Sequence, residues 1–206
     1  MSQEPETNPA AQRGPADHVI REQIIAAAHE HFAHYGYGKT TVADLAKAIG
    51  FSKAYIYKFF ESKQEIGNAI CSQCVGKIAS EAKLAAGQGR TAAEKFRKFF
   101  KSIVETSAAL IVNDRKLHDI AAASTLEKWP AYEAYEADLQ SMLREIILFG
   151  RETGEFERKT PIDETCRAIL QVMQPFINPL TLEHNLDRLP EAPTEVANLV
   201  LRSLAP

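Results

Sequence analysis

Residues 40–63 constrain the fold more than any other part of the chain, because they predict two short helices joined by a tight glycine turn. The apolar residues of the first helix recur at the spacing of one helical face, namely Val42, Leu45, Ala46 and Ile49. Thr41, followed by Asp44 three positions later, is typical of a capping box. Gly50 can adopt the left-handed conformation that closes a helix, and Ser52 is a favourable N-cap for the next one.

The second helix combines an apolar inner face with polar and aromatic residues on its outer face. Its inward residues are expected to be Ile56, Phe59 and Phe60. The outer face carries Lys53, Ala54, Tyr55, Tyr57 and Lys58. Lysines donate to phosphates, and flat amphipathic rings suit sugars and base edges. The two helices therefore predict a helix-turn-helix that binds double-stranded DNA.

Residues 19–70 resemble the N-terminal domain of the TetR/AcrR family of bacterial transcriptional regulators. The sequence IIAAAHEHFAHYGYGKTTV is similar to the first helix of that family. The run from Tyr57 to Lys63 is similar to its Tyr-x-x-Phe-x-Ser-Lys signature, which opens the fourth helix. The chain departs from the family at Ala54 and Tyr55, where Gly-Thr is common, and at Glu61, where proline is frequent. These departures are expected to keep the fold, but no operator sequence carries over from the family, because Ala54 and Tyr55 lie where bases would be read.

The motif and the resemblance together assign DNA contacts to this segment. Contacts to bases are expected from Lys53, Ala54 and Tyr55. Contacts to phosphates are expected from Tyr57 and Lys63, and the helix N-termini at Thr41 and Ser52 are expected to anchor the DNA backbone. Lys58 is expected to contact either sugar-phosphate or nothing.

The distribution of charge supports this assignment, although the net charge of the chain is -3. Residues 39–63 contain five lysines and two acidic residues, so this segment carries +3 and the remainder carries -6. An acidic body with a basic head is expected to bind DNA in one orientation. Its affinity should fall steeply as salt rises, because phosphate contacts release counterions.

Composition bounds the class of protein. A chain of 206 residues suits one or two domains. Residues 1–16 are polar and proline-bearing, which predicts a disordered tail rather than a signal peptide. No apolar run approaches the roughly 18 residues of a membrane span, so a cytoplasmic protein without a membrane partner is expected. Three cysteines without an export signal indicate reduced thiols.

Beyond residue 62 the sequence predicts further helices and no convincing alternating strand. Ser62 with Glu65, and Thr91 with Glu94, are capping boxes that open two long helices. The expected helices of this part cover residues 63–85, 92–112, 115–126, 131–153, 162–177 and 194–204. The chain is therefore predicted to be all-α with about nine helices. A three-helix DNA-binding domain is expected at residues 17–62, and a helical ligand-binding and dimerisation domain at residues 63–206.

The resemblance implies that the body binds a small effector and that its last two long helices pair with a second subunit. A homodimer also suits DNA geometry, since one short helix touches few bases whereas a two-fold pair reads an inverted repeat. The expected interface residues are Cys166, Ile169, Leu170, Met173, Ile177, Val196, Leu199, Val200 and Leu204. The alternative is that these residues close the core of the monomer.

An effector cavity is expected to combine apolar and aromatic side chains with a few polar groups. Its expected lining residues are Phe100, Val104, His118, Trp129, Met142, Ile146 and Met173, and the alternative for each is an ordinary core position. The mainly apolar character of this set favours a hydrophobic effector. The implied function is a dimeric repressor that a small effector releases from its operator.

Other function classes lack comparable signals. No pair of carboxylates, activated nucleophile or phosphate-binding glycine loop indicates an enzyme, and no cofactor or metal is expected. His31 and His34 are expected to be surface histidines, because the zincin pattern fails at Ala33. Cys71 and Cys74 lie inside a predicted helix, where packing is expected and a redox or metal role is the alternative. A protein-interaction module that keeps the helix-turn-helix only as a scaffold is the alternative to a regulator.

Overall fold

The computed structural model describes residues 15–113 and 115–206, and within these residues the protein is helical and has no strand. The head contains α1 (Pro15–Tyr35), α2 (Val42–Ile49) and α3 (Lys53–Ile56). The body contains α4 (Lys63–Gly87), α5 (Ala92–Asn113), α6 (Arg115–Leu126), α7 (Pro130–Glu152), α8 (Ile162–Ile177), α9 (Pro179–Leu182) and α10 (Glu191–Ser203), with a 3-10 segment at Glu183–Arg188. The predicted all-α class with a helix-turn-helix head is confirmed.

The turn of the helix-turn-helix forms as the sequence predicts. The Thr41 backbone N–H donates to Asp44 Oδ2 at 2.9 Å, and the Asp44 N–H donates to Thr41 Oγ1 at 3.2 Å, which completes the capping box. Gly50 ends α2 with a φ of 72°, in the left-handed region where a Cβ is strained. Ser52 then caps α3, because its Oγ accepts from the Tyr55 N–H at 3.0 Å.

Two hydrophobic cores meet along α4. The core of the head contains Ile24, Phe32 and Leu45, and it extends into the body through Ile70 of α4, Ile120 of α6 and Trp129 before α7. The core of the body begins further along α4, at Ile78, and fills the space between α5, α7, α8 and α10. The head and the body therefore share α4, and the expected boundary at residue 62 lies inside a continuous packed region.

A short helix that the sequence did not predict, α9, lies between α8 and α10. It brings the α-helices of the described residues to ten, compared with about nine expected. Asn178 caps the short α9 by accepting from the Leu180 N–H at 2.9 Å, and Pro179 occupies the first helical position, which lacks a backbone partner anyway. α10 begins at Glu191, so Pro193 lies in its first turn rather than in the loop that the sequence predicted. Proline is tolerated there for the same reason.

A disordered tail was expected at residues 1–16, and its residues 1–14 lie outside the described residues. The described part of the chain begins with α1 at Pro15. Within the described ranges, no helix is both long and apolar enough to cross a membrane.

Candidate functional site

The outer face of α3 and the turn after it exposes most of the residues assigned to DNA, since α3 ends at Ile56 and is shorter than the sequence predicted. Lys53, Ala54, Tyr57 and Lys58 are all exposed, with Tyr57 at 44%. The two lysines lie over aromatic rings: Lys53 Nζ is 5.7 Å from the centroid of Tyr57, and Lys58 Nζ is 5.5 Å from that of Tyr55. Exposed cation–π contacts are weak, so both ammonium groups can still reach a phosphate. The structure thus brings two cations and two tyrosines together on one small surface.

Tyr55 differs from its neighbours because its ring is half-buried. It packs edge-on between Phe51 and Phe59, with centroid distances of 5.0 and 5.4 Å. The sequence placed Tyr55 on the outer face. α3 is only one turn long, and this allows a large ring to lean over the edge of the core while its flank stays accessible.

Lys63, Thr41 and Ser52 already have partners within the head. Lys63 Nζ donates to the Tyr37 carbonyl oxygen at 3.0 Å and lies 4.4 Å from the centroid of the Tyr37 ring. The hydroxyls of Thr41 and Ser52 serve as helix caps. Hydrogen bonds from Thr41 also lower the pKa of Asp44. These residues fix the geometry of the helix-turn-helix, whatever they contact in addition.

Two aromatic residues and one glycine form a junction between the head and the body. The Tyr37 and Trp129 rings meet edge-on at a centroid distance of 5.6 Å, and Trp129 is fully buried. A Cβ on Gly67 of α4 would lie 2.9 Å from ring carbons of both residues, so α4 approaches them as closely as a glycine permits. Burial and the Glu127 carboxylate raise the pKa of Tyr37 to about 12. We call Tyr37, Gly67 and Trp129 the junction.

The body encloses an apolar cavity of about 60 Å³, here called the central cavity. Its walls come from α4 to α9, and its lining residues are Ile70, Cys71, Cys74, Val75, Ile78, Ser107, Leu110, Ile111, His118, Ile120, Ala121, Tyr132, Tyr135, Ile177 and Pro179. Ile70, Cys71 and Ile120 also belong to the core of the head. The wall of the central cavity is therefore part of the packing that holds the DNA-binding helices.

The polar groups of the central cavity lie on α5, α6 and α7. His118 is 8% exposed, and its Nε2 lies 3.1 Å from Glu183 Oε2. Among the described residues, neither His118 Nδ1 nor the Tyr135 hydroxyl has a hydrogen-bond partner, and both atoms are buried. Burial raises the pKa of Tyr135, and the nearby Ser107 hydroxyl offsets only part of this effect. Unpaired buried polar atoms are rare in native proteins.

The residues expected to line an effector site lie in four different places. His118 lines the central cavity, whereas Trp129 belongs to the junction. Phe100 and Val104 line a separate groove of about 400 Å³ between α5 and the start of α10. Met142, Ile146 and Met173 pack in or against the core of the body. Tyr132 and Tyr135 were not selected from the sequence, although their spacing along α7 places two hydroxyls beside an apolar stripe.

The residues expected at a dimer interface divide by exposure. Six of them are buried within the chain itself, which agrees with the alternative that they close the core of the monomer. These six are Cys166, Ile169, Met173, Ile177, Val200 and Leu204. Leu170 and Val196 are half-buried, and Leu199 is 58% exposed. Val172 of α8 is also 45% exposed. The apolar surface of α8 and α10 is therefore formed by Val172, Leu199 and their half-buried neighbours.

The cysteines and histidines of the sequence analysis lie in ordinary surroundings. The Cys71 thiol donates to Ser124 Oγ at 3.2 Å, and burial raises the pKa of Cys71. His31 Nδ1 lies 3.3 Å from Thr40 Oγ1. In the part of the chain that the structure describes, no three histidine, cysteine or acidic residues cluster as metal ligands do.

The fold and the site define a helix-turn-helix DNA-binding protein with a helical ligand-binding body. Residues 24–70 match the family model of bacterial regulatory proteins of the tetR family. Residues 92–197, just over half of the chain, match the model of the tetracyclin repressor-like C-terminal domain. The chain belongs to the tetR family of bacterial transcriptional regulators, which confirms the resemblance.

Individual relatives agree with this membership. The chain is 37% identical over 68 residues to the HTH-type transcriptional repressor Rv1474c of Mycobacterium tuberculosis, a match that covers 32% of this chain and only 36% of that protein. The tetR-family regulator PfmR of Thermus thermophilus superposes with a TM-score of 0.57 and 26% identity, over 87% of this chain and 97% of that one. FadR of Bacillus subtilis, solved with stearoyl-CoA, superposes with a TM-score of 0.60 and 20% identity, over 89% and 97%.

Proposed function

We propose that the protein is a homodimeric cytoplasmic repressor that binds an inverted-repeat operator and is released by a small apolar effector in the central cavity. The observation that carries this proposal is the double membership of Ile70, Cys71 and Ile120, which line the cavity and also pack in the core of the head. An occupant that moves these side chains must also move the packing that supports the helix-turn-helix.

The outer face of α3 supports the DNA-binding half of the proposal. In this reading Lys53, Ala54 and the exposed flank of Tyr55 approach base edges, while Tyr57 and Lys58 contact the sugar-phosphate backbone. Lys63, Thr41 and Ser52 act mainly by fixing the geometry of the helix-turn-helix, because their side chains are already hydrogen-bonded within the head. The backbone N–H groups that follow Thr41 and Ser52 in the first turns of their helices, and the remaining donors of the Lys63 ammonium, complete the phosphate contacts.

A second copy of the chain is needed because α3 contains only four residues. Two heads that are related by a two-fold axis can read half-sites about 34 Å apart, one helical turn of DNA. We assign the dimer surface to the exposed apolar residues of α8 and α10, with Val172 and Leu199 at its centre. Exposed apolar residues on two adjacent helices are typical of an isologous interface.

The size of the central cavity supports a switch that depends on expansion. Its volume of about 60 Å³ is well below the 150 Å³ or so of an engineered cavity that binds benzene. An effector must therefore push the walls apart, and α4 is the wall that continues into the head. Displacement of α4 changes the distance between the two heads of a dimer, so that both no longer fit the major groove at once.

The structural relative that was solved with stearoyl-CoA indicates that a fold of this kind can hold a long acyl ligand. The central cavity described above is too small for an acyl chain without a large rearrangement. Tyr132, Tyr135 and Ile177 form its common wall with an outer groove of about 500 Å³ between α7 and α8. We therefore propose a compact effector that enters past this wall.

A protein-interaction module that uses the head only as a scaffold remains the second candidate. Such a module has no use for two exposed lysines and an exposed tyrosine on α3 and the turn that follows it. DNA binding therefore separates the two candidates.

The experiment compares the double variant Lys53→Ala/Lys58→Ala with Lys83→Ala, an exposed lysine on α4 that lies outside the helix-turn-helix. Binding to duplex DNA is measured by fluorescence anisotropy over a range of salt concentrations. The double variant should bind DNA more weakly, and the loss of the Lys58 phosphate contacts, two per dimer, should reduce the slope of log K against log salt by about 1.8. Lys83→Ala should behave as wild type. Equal behaviour of the two variants contradicts the assignment.

A further inference from the structure

Among the described residues, two that line the central cavity each carry a buried polar side-chain atom without a hydrogen-bond partner. These are Nδ1 of His118 and the hydroxyl of Tyr135, and both residues are more than nine-tenths buried. A buried donor or acceptor without a partner carries a desolvation cost that no hydrogen bond offsets. Such a cost persists in a native protein where a ligand completes the hydrogen bonds. The hydrogen-bonding needs of these two atoms therefore indicate which polar groups a ligand of the cavity carries.

The hydrogen bond to Glu183 fixes the role of each ring nitrogen of His118. The Nε2 atom lies 3.1 Å from Glu183 Oε2. A carboxylate oxygen accepts a hydrogen bond, so Nε2 carries the proton. In the neutral imidazole the other nitrogen, Nδ1, then has a free lone pair and is an acceptor. To this neutral form of His118, the occupant must offer a donor.

The hydroxyl of Tyr135 has the complementary requirement. Burial raises the pKa of Tyr135, so its phenol keeps its proton and can donate. The occupant must offer Tyr135 an acceptor. A single hydroxyl group satisfies both residues, because its O–H donates to His118 Nδ1 while its oxygen lone pair accepts from Tyr135. A ketone, an ether or a hydrocarbon satisfies at most one of them.

We propose that the effector of the central cavity is a compact alcohol or phenol, whose hydroxyl is held between His118 Nδ1 and the Tyr135 hydroxyl and whose apolar frame packs against α4. This inference rests on the proposed function, because it names the class of effector for the same cavity. The small volume of the cavity limits the frame to about one ring, and even one ring requires the walls to move apart.

The test measures binding of phenol, anisole and toluene to the full-length protein by titration calorimetry. Phenol and toluene have nearly the same shape, and anisole keeps the oxygen but lacks the donor. Phenol should bind roughly tenfold or more tightly than either analogue, since each leaves buried polar atoms unpaired. Equal or tighter binding of anisole or toluene, or no binding of phenol at millimolar concentration, overturns the proposal.

Variants assign this selectivity to the two side chains. Tyr135→Phe removes the donor, and His118→Gln removes the Nδ1 acceptor while its amide can still donate to Glu183. Each should reduce the preference for phenol over toluene to within about threefold. Tyr132→Phe is the matched control, since Tyr132 also lines the cavity but its hydroxyl is not among the buried polar atoms of the described residues that lack a partner. Unchanged selectivity in both test variants contradicts the proposal.

The effect of phenol on DNA binding is measured separately. Selective phenol binding without any change in DNA affinity leaves the inference intact and contradicts the proposed switch. Release of DNA by apolar compounds that lack a hydroxyl, with no preference for phenol, supports the switch and overturns the inference.

Discussion

The contact between Gly67 and the junction gives a prediction with a matched control on the same helix. A Cβ at position 67 would lie 2.9 Å from Cη2 and Cζ3 of Trp129 and from Cε2 of Tyr37. Carbon atoms pack best at about 3.5–4.0 Å, so at least one ring must move. Trp129 is fully buried and cannot swing into solvent. A Cβ at Gly76, nine residues further along α4, meets no atom within 4 Å.

The magnitudes follow from two opposing effects. Replacing a helical glycine with alanine stabilises the helix by about 1 kcal/mol, and this gain applies to both positions. Overpacking at the junction costs about 1–3 kcal/mol and applies to Gly67 alone. Gly76→Ala should therefore raise the free energy of unfolding by up to about 1 kcal/mol. Gly67→Ala should be less stable than Gly76→Ala by about 1–3 kcal/mol.

Urea unfolding followed by circular dichroism measures this difference, at one fixed protein concentration because a dimer unfolds in a concentration-dependent way. Trp129 is the only tryptophan of the chain, so its emission reports on the junction directly. Gly67→Ala should change the emission of the folded protein, and Gly76→Ala should not. Equal stability and identical emission in the two variants refute close packing between α4 and the junction.

Two further predictions concern side chains that cap helices of the body. The Glu155 carboxylate accepts from the Ala92 N–H at 2.9 Å, and this hydrogen bond lowers the pKa of Glu155. The wild type should therefore be more stable than Glu155→Gln, and this advantage should be complete above the ordinary carboxyl pKa of 4.5. It should disappear as pH falls through the lower pKa that Glu155 has in the folded protein. Thermal unfolding of both proteins across this pH range measures the difference. Asn68 Oδ1 accepts from the Ala131 N–H at 3.0 Å, so Asn68→Ala should cost about 1 kcal/mol in urea unfolding, whereas Asn68→Asp keeps the acceptor and most of the stability.

The sequence predicts the head well because its signals are local. Capping boxes, a glycine turn and helical periodicity involve residues within four positions of each other, and the structure forms the caps at Thr41 and Ser52 as expected. The long helices of the body are predicted for the same reason. The short α9 was missed because Asn178 and Pro179 start a helix of a single turn, in which no periodic pattern can develop.

The junction and the central cavity depend on contacts between distant parts of the chain. Nothing in the neighbourhood of Gly67 indicates that Trp129, more than sixty residues away, lies against it. The same limit applies to the cavity, where His118 was selected from the sequence and Tyr135 was not. An apolar periodic position can face a core, a groove or a cavity, and periodicity alone does not separate them.

The expected dimer interface is a second case in which periodicity alone did not separate core positions from other apolar positions. Ile169, Met173 and Val200 follow the apolar stripes of α8 and α10, and those stripes face the core of the same chain. The exposed Val172 and Leu199 lie outside the stripes. An exposed apolar residue at a position where a polar one is expected is therefore the better signal for a surface that meets another molecule.

Selection of bound sequences from a random duplex DNA library tests the proposed repressor most simply. Purified full-length protein is used at moderate salt, and the enriched sequences are aligned. A two-fold pair of heads predicts an inverted repeat, with half-site centres separated by about one helical turn or a multiple of it. Enrichment of a single asymmetric site, or salt-sensitive binding without any consensus, contradicts a dimeric operator-binding repressor.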